Sequence, residues 1–275
     1  MNNPLSFSSV KLEVFSGDGV RLKPASGFVV ETGKQHYLIT NWHVVSCGDI
    51  HTDGQQEPVA KPYTLKTSVH IHGAARERKD VFSMGVRKRI TVPLYDDNDS
   101  PRWIEHQTNE GNQPAADIVA LPIHVNLTLK LFGGKTPGIT IDKGFWDENA
   151  DYWTKISAIP ISAIDTDVEY GPPDTIHIVG YPLNWQPDGA DRTSSAFWRT
   201  SFIASEIYEP GMRRADTFFI DPRAPEGMTG SPVIGMKNDR LKLLGVYSDR
   251  STAEFGANAG LVYGAWLMKE LIRAS

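Results

Sequence analysis

Short β-branched and aromatic runs recur along this chain between clusters of Gly, Pro, Asn and Asp, and helical periodicity is scarce. That pattern predicts an all-β sandwich or barrel. In the first half, Val10 to Phe15, Gly27 to Glu31, Gln35 to Asn41, Ser68 to His72, Arg89 to Pro93 and Ile118 to Ile123 read as strands. In the second half the strands are Lys155 to Ile159, Thr175 to Gly180, Phe197 to Ile207, Thr217 to Ile220, Pro232 to Met236, Leu241 to Tyr247 and Gly260 to Tyr263. One helix stands out, Ala265 to Arg273. Trp266, Leu267, Met268, Leu271 and Ile272 form its apolar side, so it is expected to pack against the β core. Turn formers from Leu131 to Gly138 place a linker there and divide the chain into 1–130 and 131–275.

At 275 residues the chain is long enough for one large core or two medium ones, and 40% hydrophobic with 22% charged residues is ordinary globular composition. A net charge of -5 opposes general attraction to phosphate backbones, so nucleic acid is not the expected partner. The basic stretches Arg76 to Lys79 and Arg87 to Arg89 are interrupted by Glu and Asp and read as a solvated hairpin. Cys47 is the only cysteine, which excludes an intrachain disulfide and any multi-cysteine metal cluster. The start, Met1 to Ser9, has neither the basic residues nor the apolar run of a secretory signal, and no window approaches the roughly 20 apolar residues of a membrane span. The expectation is a cytoplasmic protein without a membrane segment. His70 and His72 would share one face of a strand, as a metal site requires, but no third ligand is near; they read as surface histidines, with no metal expected.

Three segments carry candidate chemistry. A hydroxyl nucleophile needs an imidazole to take its proton, a carboxylate to orient that imidazole and amides aimed at the developing oxyanion. Tyr37 to Val45 runs as a strand ending at His43; Ala116 to Pro122 opens an apolar strand with Asp117; and Pro225 to Ile234 is a Gly-flanked turn entering a strand. Gly227 and Gly230 permit the backbone conformations that expose consecutive amides.

In this order the segments resemble the trypsin-like, chymotrypsin-fold serine peptidases, and among them the bacterial disulfide-free type, which carry a similar Thr-x-x-His-Val, Asp-Ile-Val/Ala-x-Leu and Gly-x-Ser-Gly. Ser26-Gly27-Phe28-Val29 and Val179-Gly180-Tyr181-Pro182 add to the likeness, which spans Ser26 to about Tyr263. The resemblance implies two six-stranded antiparallel β-barrels followed by the C-terminal helix, the first carrying His43 and Asp117, the second the Gly227–Ser231 turn. It implies His43 as general base, Asp117 as its orienting partner, and the amides of Gly227 and the nucleophile as the oxyanion hole. It also implies a polypeptide substrate and no cofactor. Substrate preference would come from a pocket whose walls map to Asp221 to Glu226 and to Gly245 to Ser248, with Arg223 either facing it or paired to a neighbouring acid. Where the family's secreted members carry an acid before the nucleophile, this chain has Met228, so no activation by a new amino terminus is expected.

The chain departs from the family at the nucleophile. Gly-x-Ser-Gly-x-Pro aligns here with Gly227-Met228-Thr229-Gly230-Ser231-Pro232, which puts threonine where serine is usual. The extra methyl restricts χ1 and crowds the approach to a carbonyl. Ser231 is the alternative nucleophile, roughly 6 to 7 Å further along an extended chain. Two functions are therefore expected from sequence: an endopeptidase working through Thr229, or a catalytically impaired relative that binds an extended peptide or protein partner without turning it over.

Overall fold

Several strands carry unbroken apolar runs because both of their faces are covered. In Gly27-Phe28-Val29-Val30, Phe28 and Val30 join a core shared with the second half, while Val29 joins a core belonging to the first half alone. Tyr37 and Ile39 alternate with Leu38 in the same way, as do Ile118 and Ala120 with Val119 and Leu121. Period-two alternation thus sorts one strand between two hydrophobic interiors.

The structure is a computed structural model and describes residues 5–33, 35–46, 61–77, 80–107, 114–123, 151–164, 170–183, 196–207, 215–237, 240–248 and 258–274. The expected linker, Leu131 to Gly138, and Cys47 lie outside them. The first half comprises α1 (Leu5–Ser8), β1 (Ser9–Ser16), β2 (Arg21–Glu31), β3 (His36–Thr40), α2 (Trp42–Ser46), β4 (Pro62–Glu77), β5 (Asp80–Pro93), β6 (Ile104–Gln107), β7 (Pro114–Ile123), β8 (Asp151–Ile156) and β9 (Ile159–Pro160). Its sheet runs β5-β4-β1-β2-β3-β7-β6, with β8 on β4 and β9 on β2. The second half comprises β10 (Thr175–Gly180), β11 (Phe197–Ile203), β12 (Thr217–Asp221), β13 (Pro232–Lys237), β14 (Arg240–Ser248), β15 (Gly260–Gly264) and α3 (Ala265–Ala274). Its six strands close into an antiparallel barrel in the order β10-β11-β12-β15-β14-β13.

The all-β class, the two-barrel arrangement and the terminal helix are as expected, and the details that differ lie in the first half. Its sheet curls over its own core with nine strands in place of six, and closure is found in the second half alone among the described residues. The hairpin of β4 and β5 is 16 and 14 residues long, far beyond Ser68 to His72 and Arg89 to Pro93, and Arg76 and Arg87 belong to its paired strands. Backbone pairing carries that hairpin through a charged stretch where no apolar alternation marks a strand. The expected strand Lys155 to Ile159 pairs with β4 and β2, so it belongs to the first sheet and not to the second barrel.

Helix α3 buries Trp266, Leu267, Met268, Leu271 and Ile272 and leaves Glu270 and Arg273 exposed. It packs on β6 and β7 of the first half and on β14 of the second, tying the halves together. Each such apolar side chain contributes roughly 1.5 to 3 kcal/mol of burial. No described helix is long and apolar enough to cross a membrane.

Candidate active site

β3 delivers the histidine. It ends at Thr40, and the chain turns at Asn41 into α2, whose first turn carries His43. β7 runs antiparallel beside β3 with Thr40 opposite Val119, which brings Asp117 level with the start of α2. Asp117 is 0% exposed. A buried carboxylate is tolerated only when its lone pairs are occupied, and three donors meet it: His43 Nδ1 at 2.7 Å, the His43 amide at 3.0 Å and the Ser248 hydroxyl at 3.2 Å. An ionised carboxylate only accepts, so this bond takes the imidazole hydrogen on Nδ1, and in the neutral ring it is Nε2 that keeps the lone pair.

Two further bonds hold this pair in place. Asn41, fully buried, donates from Nδ2 to the Asp117 carbonyl at 2.6 Å, and Lys23 Nζ donates to the His43 carbonyl at 2.7 Å.

The turn before β13 is built to display amides. Gly227 and Gly230 adopt φ of +89° and +88°, the left-handed region that favours glycine. There is no room for a side chain either: a Cβ on Gly227 would lie 2.6 Å from the Leu183 amide nitrogen, and one on Gly230 would overlap the Ser26 carbonyl. Along the turn the amides of Met228, Gly230 and Ser231 donate to Pro225, Tyr247 and Met228. Among the described residues those of Gly227 and Thr229 meet no protein acceptor, which leaves two neighbouring N–H groups for an incoming oxygen.

Ser26 fastens the turn to the first half. Its amide donates to the Thr229 carbonyl at 2.8 Å, and its hydroxyl donates to the Gly227 carbonyl at 2.9 Å while accepting from the Tyr181 amide at 2.8 Å. Gly180 makes this possible, because a Cβ there would strike the hydroxyls of Ser231 and Ser26. Both segments singled out in the sequence, Ser26 to Val29 and Val179 to Pro182, therefore act as clamps on the turn.

His43, Gly227 and Thr229 face one cavity of about 270 Å³, lined also by Lys23, Ala25, Val44, Leu183 and Glu226. Thr229 is 9% exposed, and no hydrogen bond joins its hydroxyl to the imidazole or to its own backbone among the described residues. Ser231, the alternative nucleophile, is 0% exposed; among the described residues its hydroxyl finds no partner, and it lies against Gly180, outside the cavity lining. Arg223 is exposed, and its Cβ borders the position of Gly260.

Sequence reasoning missed Asn41, Lys23, Ser26 and Ser248 as parts of the site. Ser26 stood in a recognised strand and Ser248 in an expected pocket wall, but only the fold reveals that their hydroxyls bond the turn and the carboxylate. His70 needs correcting: it is 8% exposed, its ring packed on Phe7 with centroids 4.7 Å apart, because its face of β4 is covered by α1 and not by solvent. The side chain of His72 lies outside the described residues. No protein-family model matches this chain, and no curated protein matches it.

Proposed function

We propose that this protein is a trypsin-like endopeptidase that cleaves peptide bonds through an acyl-enzyme, with threonine as nucleophile. The single observation that carries the reading is the buried Asp117 carboxylate 2.7 Å from His43, whose half-buried ring lines the same cavity as Thr229 and a Gly227 amide that meets no acceptor among the described residues. A histidine whose Nδ1 is tied to a buried carboxylate is held as a base through Nε2, and a cavity that also presents a hydroxyl and free amides supplies the remaining parts.

In this mechanism the substrate carbonyl oxygen enters between the amides of Gly227 and Thr229. Thr229 Oγ1 attacks the carbonyl carbon as its proton passes to His43 Nε2, and the oxyanion forms on the two amides. His43 then hands the proton to the leaving amine, the C–N bond breaks, and an ester on Thr229 remains. Water repeats the sequence: its proton goes to His43, its oxygen attacks the ester, and Thr229 regains its hydrogen. Asp117 stays ionised and stabilises the imidazolium that forms twice per cycle. A hydrogen bond from hydroxyl to imidazole tightens in such sites only when substrate is bound. Thr229 is preferred to Ser231 because Thr229 lines the cavity and Ser231 does not. The single cysteine, which asks for no oxidising compartment, favours the cytoplasm as the place of action.

A second reading has its own support. The threonine methyl and the missing imidazole-to-hydroxyl bond favour a barrel that binds an extended peptide and turns it over poorly. A casein assay on wild type, His43→Ala and Thr229→Ser separates the two. Turnover by wild type that His43→Ala abolishes supports the peptidase; an inert wild type with an active Thr229→Ser supports the binding protein; inactivity in all three overturns the peptidase.

A further inference from the structure

The turn from Ala224 to Gly230 bends around one side chain, Tyr247. At one end the Gly230 amide donates to the Tyr247 carbonyl at 2.8 Å, and the Tyr247 amide donates to the Ser231 carbonyl at 2.9 Å. At the other end the tyrosine hydroxyl accepts from the Ala224 amide at 3.1 Å and donates to the Ala224 carbonyl at 3.2 Å. The ring is 0% exposed and Ala224 only 2% exposed. On its far side the ring presses on Gly260, where an added Cβ would sit 2.7 Å from Tyr247 Cε2 and 3.1 Å from Ile220 Cγ1. The space enclosed by the turn and the strand behind it is therefore filled by a phenol whose polar end is satisfied, and filled tightly enough to require glycine opposite.

This space decides what a substrate can bring. With the scissile carbonyl oxygen held by the Gly227 and Thr229 amides, the leaving amine must face His43, which protonates it. The leaving half of the peptide then runs into the open cavity lined by Lys23, Val44 and Leu183. The resemblance to chymotrypsin-fold peptidases implies that the residue supplying the carbonyl sets its side chain between the walls at 221–226 and 245–248, which is where Tyr247 lies.

We infer that Tyr247 occupies the pocket for the side chain of the residue on the acyl side of the scissile bond, so that the enzyme accepts glycine, alanine or serine there and excludes large residues. Selectivity among peptides then rests on the leaving side, where the cavity is open. The inference rests on the peptidase reading and adds the substrate class to it. An exposed Arg223 has no part in an acidic preference at this position.

The experiment uses internally quenched peptides identical but for alanine or phenylalanine at the acyl position, cleaved by wild type, Tyr247→Ala and Tyr247→Phe, each also on a Thr229→Ser background. The expected kcat/KM favours alanine over phenylalanine by roughly 50-fold in wild type, with Tyr247→Phe retaining that ratio and Tyr247→Ala narrowing it at least tenfold. Wild-type selectivity alone carries the test should Tyr247→Ala not fold, which near-ultraviolet circular dichroism reports. Cleavage with phenylalanine preferred overturns the pocket assignment and leaves the peptidase reading standing. Failure of every protein, including those with Thr229→Ser, to cleave either peptide overturns the reading beneath it.

Discussion

Replacing Ser26 with alanine removes one oxygen from the seam between the two halves, and its cost can be worked from the bonds that oxygen makes. The hydroxyl donates to the Gly227 carbonyl and accepts from the Tyr181 amide, with Ser26 0% exposed. Both backbone groups lose their partner at once, and a buried group left unpaired costs about 1 to 3 kcal/mol. The bonds from the Ser26 amide to the Thr229 carbonyl and from the Thr40 hydroxyl to the Ser26 carbonyl are untouched, so the strand stays in place. Taking each of the two groups at about 1 to 2 kcal/mol within that range, the expected loss is roughly 2 to 4 kcal/mol in urea denaturation, or about 5 to 15 °C in Tm for a chain of this size. The Gly227 carbonyl would also be free to turn, tilting the peptide units that present the amides, so peptide turnover should fall more steeply than stability. A loss below about 0.5 kcal/mol, the range of ordinary surface substitutions, would refute the claim that this hydroxyl fastens the turn.

Gly230→Ala should be more severe, because its Cβ would meet backbone at Ser26 and its φ of +88° is strained for alanine; unfolding or a loss above about 3 kcal/mol is expected by thermal melt. Ser231→Ala should run the other way: deleting a buried hydroxyl with no protein partner leaves stability unchanged or raises it by up to about 1 kcal/mol, and turnover stays within threefold of wild type. Asp117→Asn should lower kcat by about 10⁴-fold, since an amide in place of the carboxylate lets Nδ1 lose its hydrogen and puts it on Nε2, where no proton can be accepted. That variant should keep its near-ultraviolet circular dichroism, which separates the tautomer effect from unfolding.

What the sequence made legible follows from where its information is local. Strands such as Thr175 to Gly180 announce themselves because burial on alternating or on both faces forces β-branched and apolar residues into short runs. The His43, Asp117 and Gly227–Gly230 segments were legible because each needs a particular residue type whatever its surroundings: an imidazole, a carboxylate, and glycines where φ is positive. The long β4–β5 hairpin was not, since its charged outer part is held by backbone pairing that leaves no mark on side-chain pattern. Nor was the attachment of β8 to β4, a pairing between residues some 80 positions apart. Asn41, Ser26 and Ser248 look like any other small polar residues, and their role comes from partners that only the closed structure brings within reach. Ser231 shows the reverse: a hydroxyl that looks available in sequence is turned inward by the same glycine-rich turn that leaves Thr229 on the cavity.

The most direct measurement is covalent labelling with a fluorophosphonate, read by intact mass and peptide mapping. Attack of a hydroxyl on phosphorus displaces fluoride and needs the same base and the same amides as peptide cleavage. One adduct on Thr229, absent from His43→Ala, is the predicted result; an adduct on Ser231, or labelling that survives the loss of His43, would contradict the account.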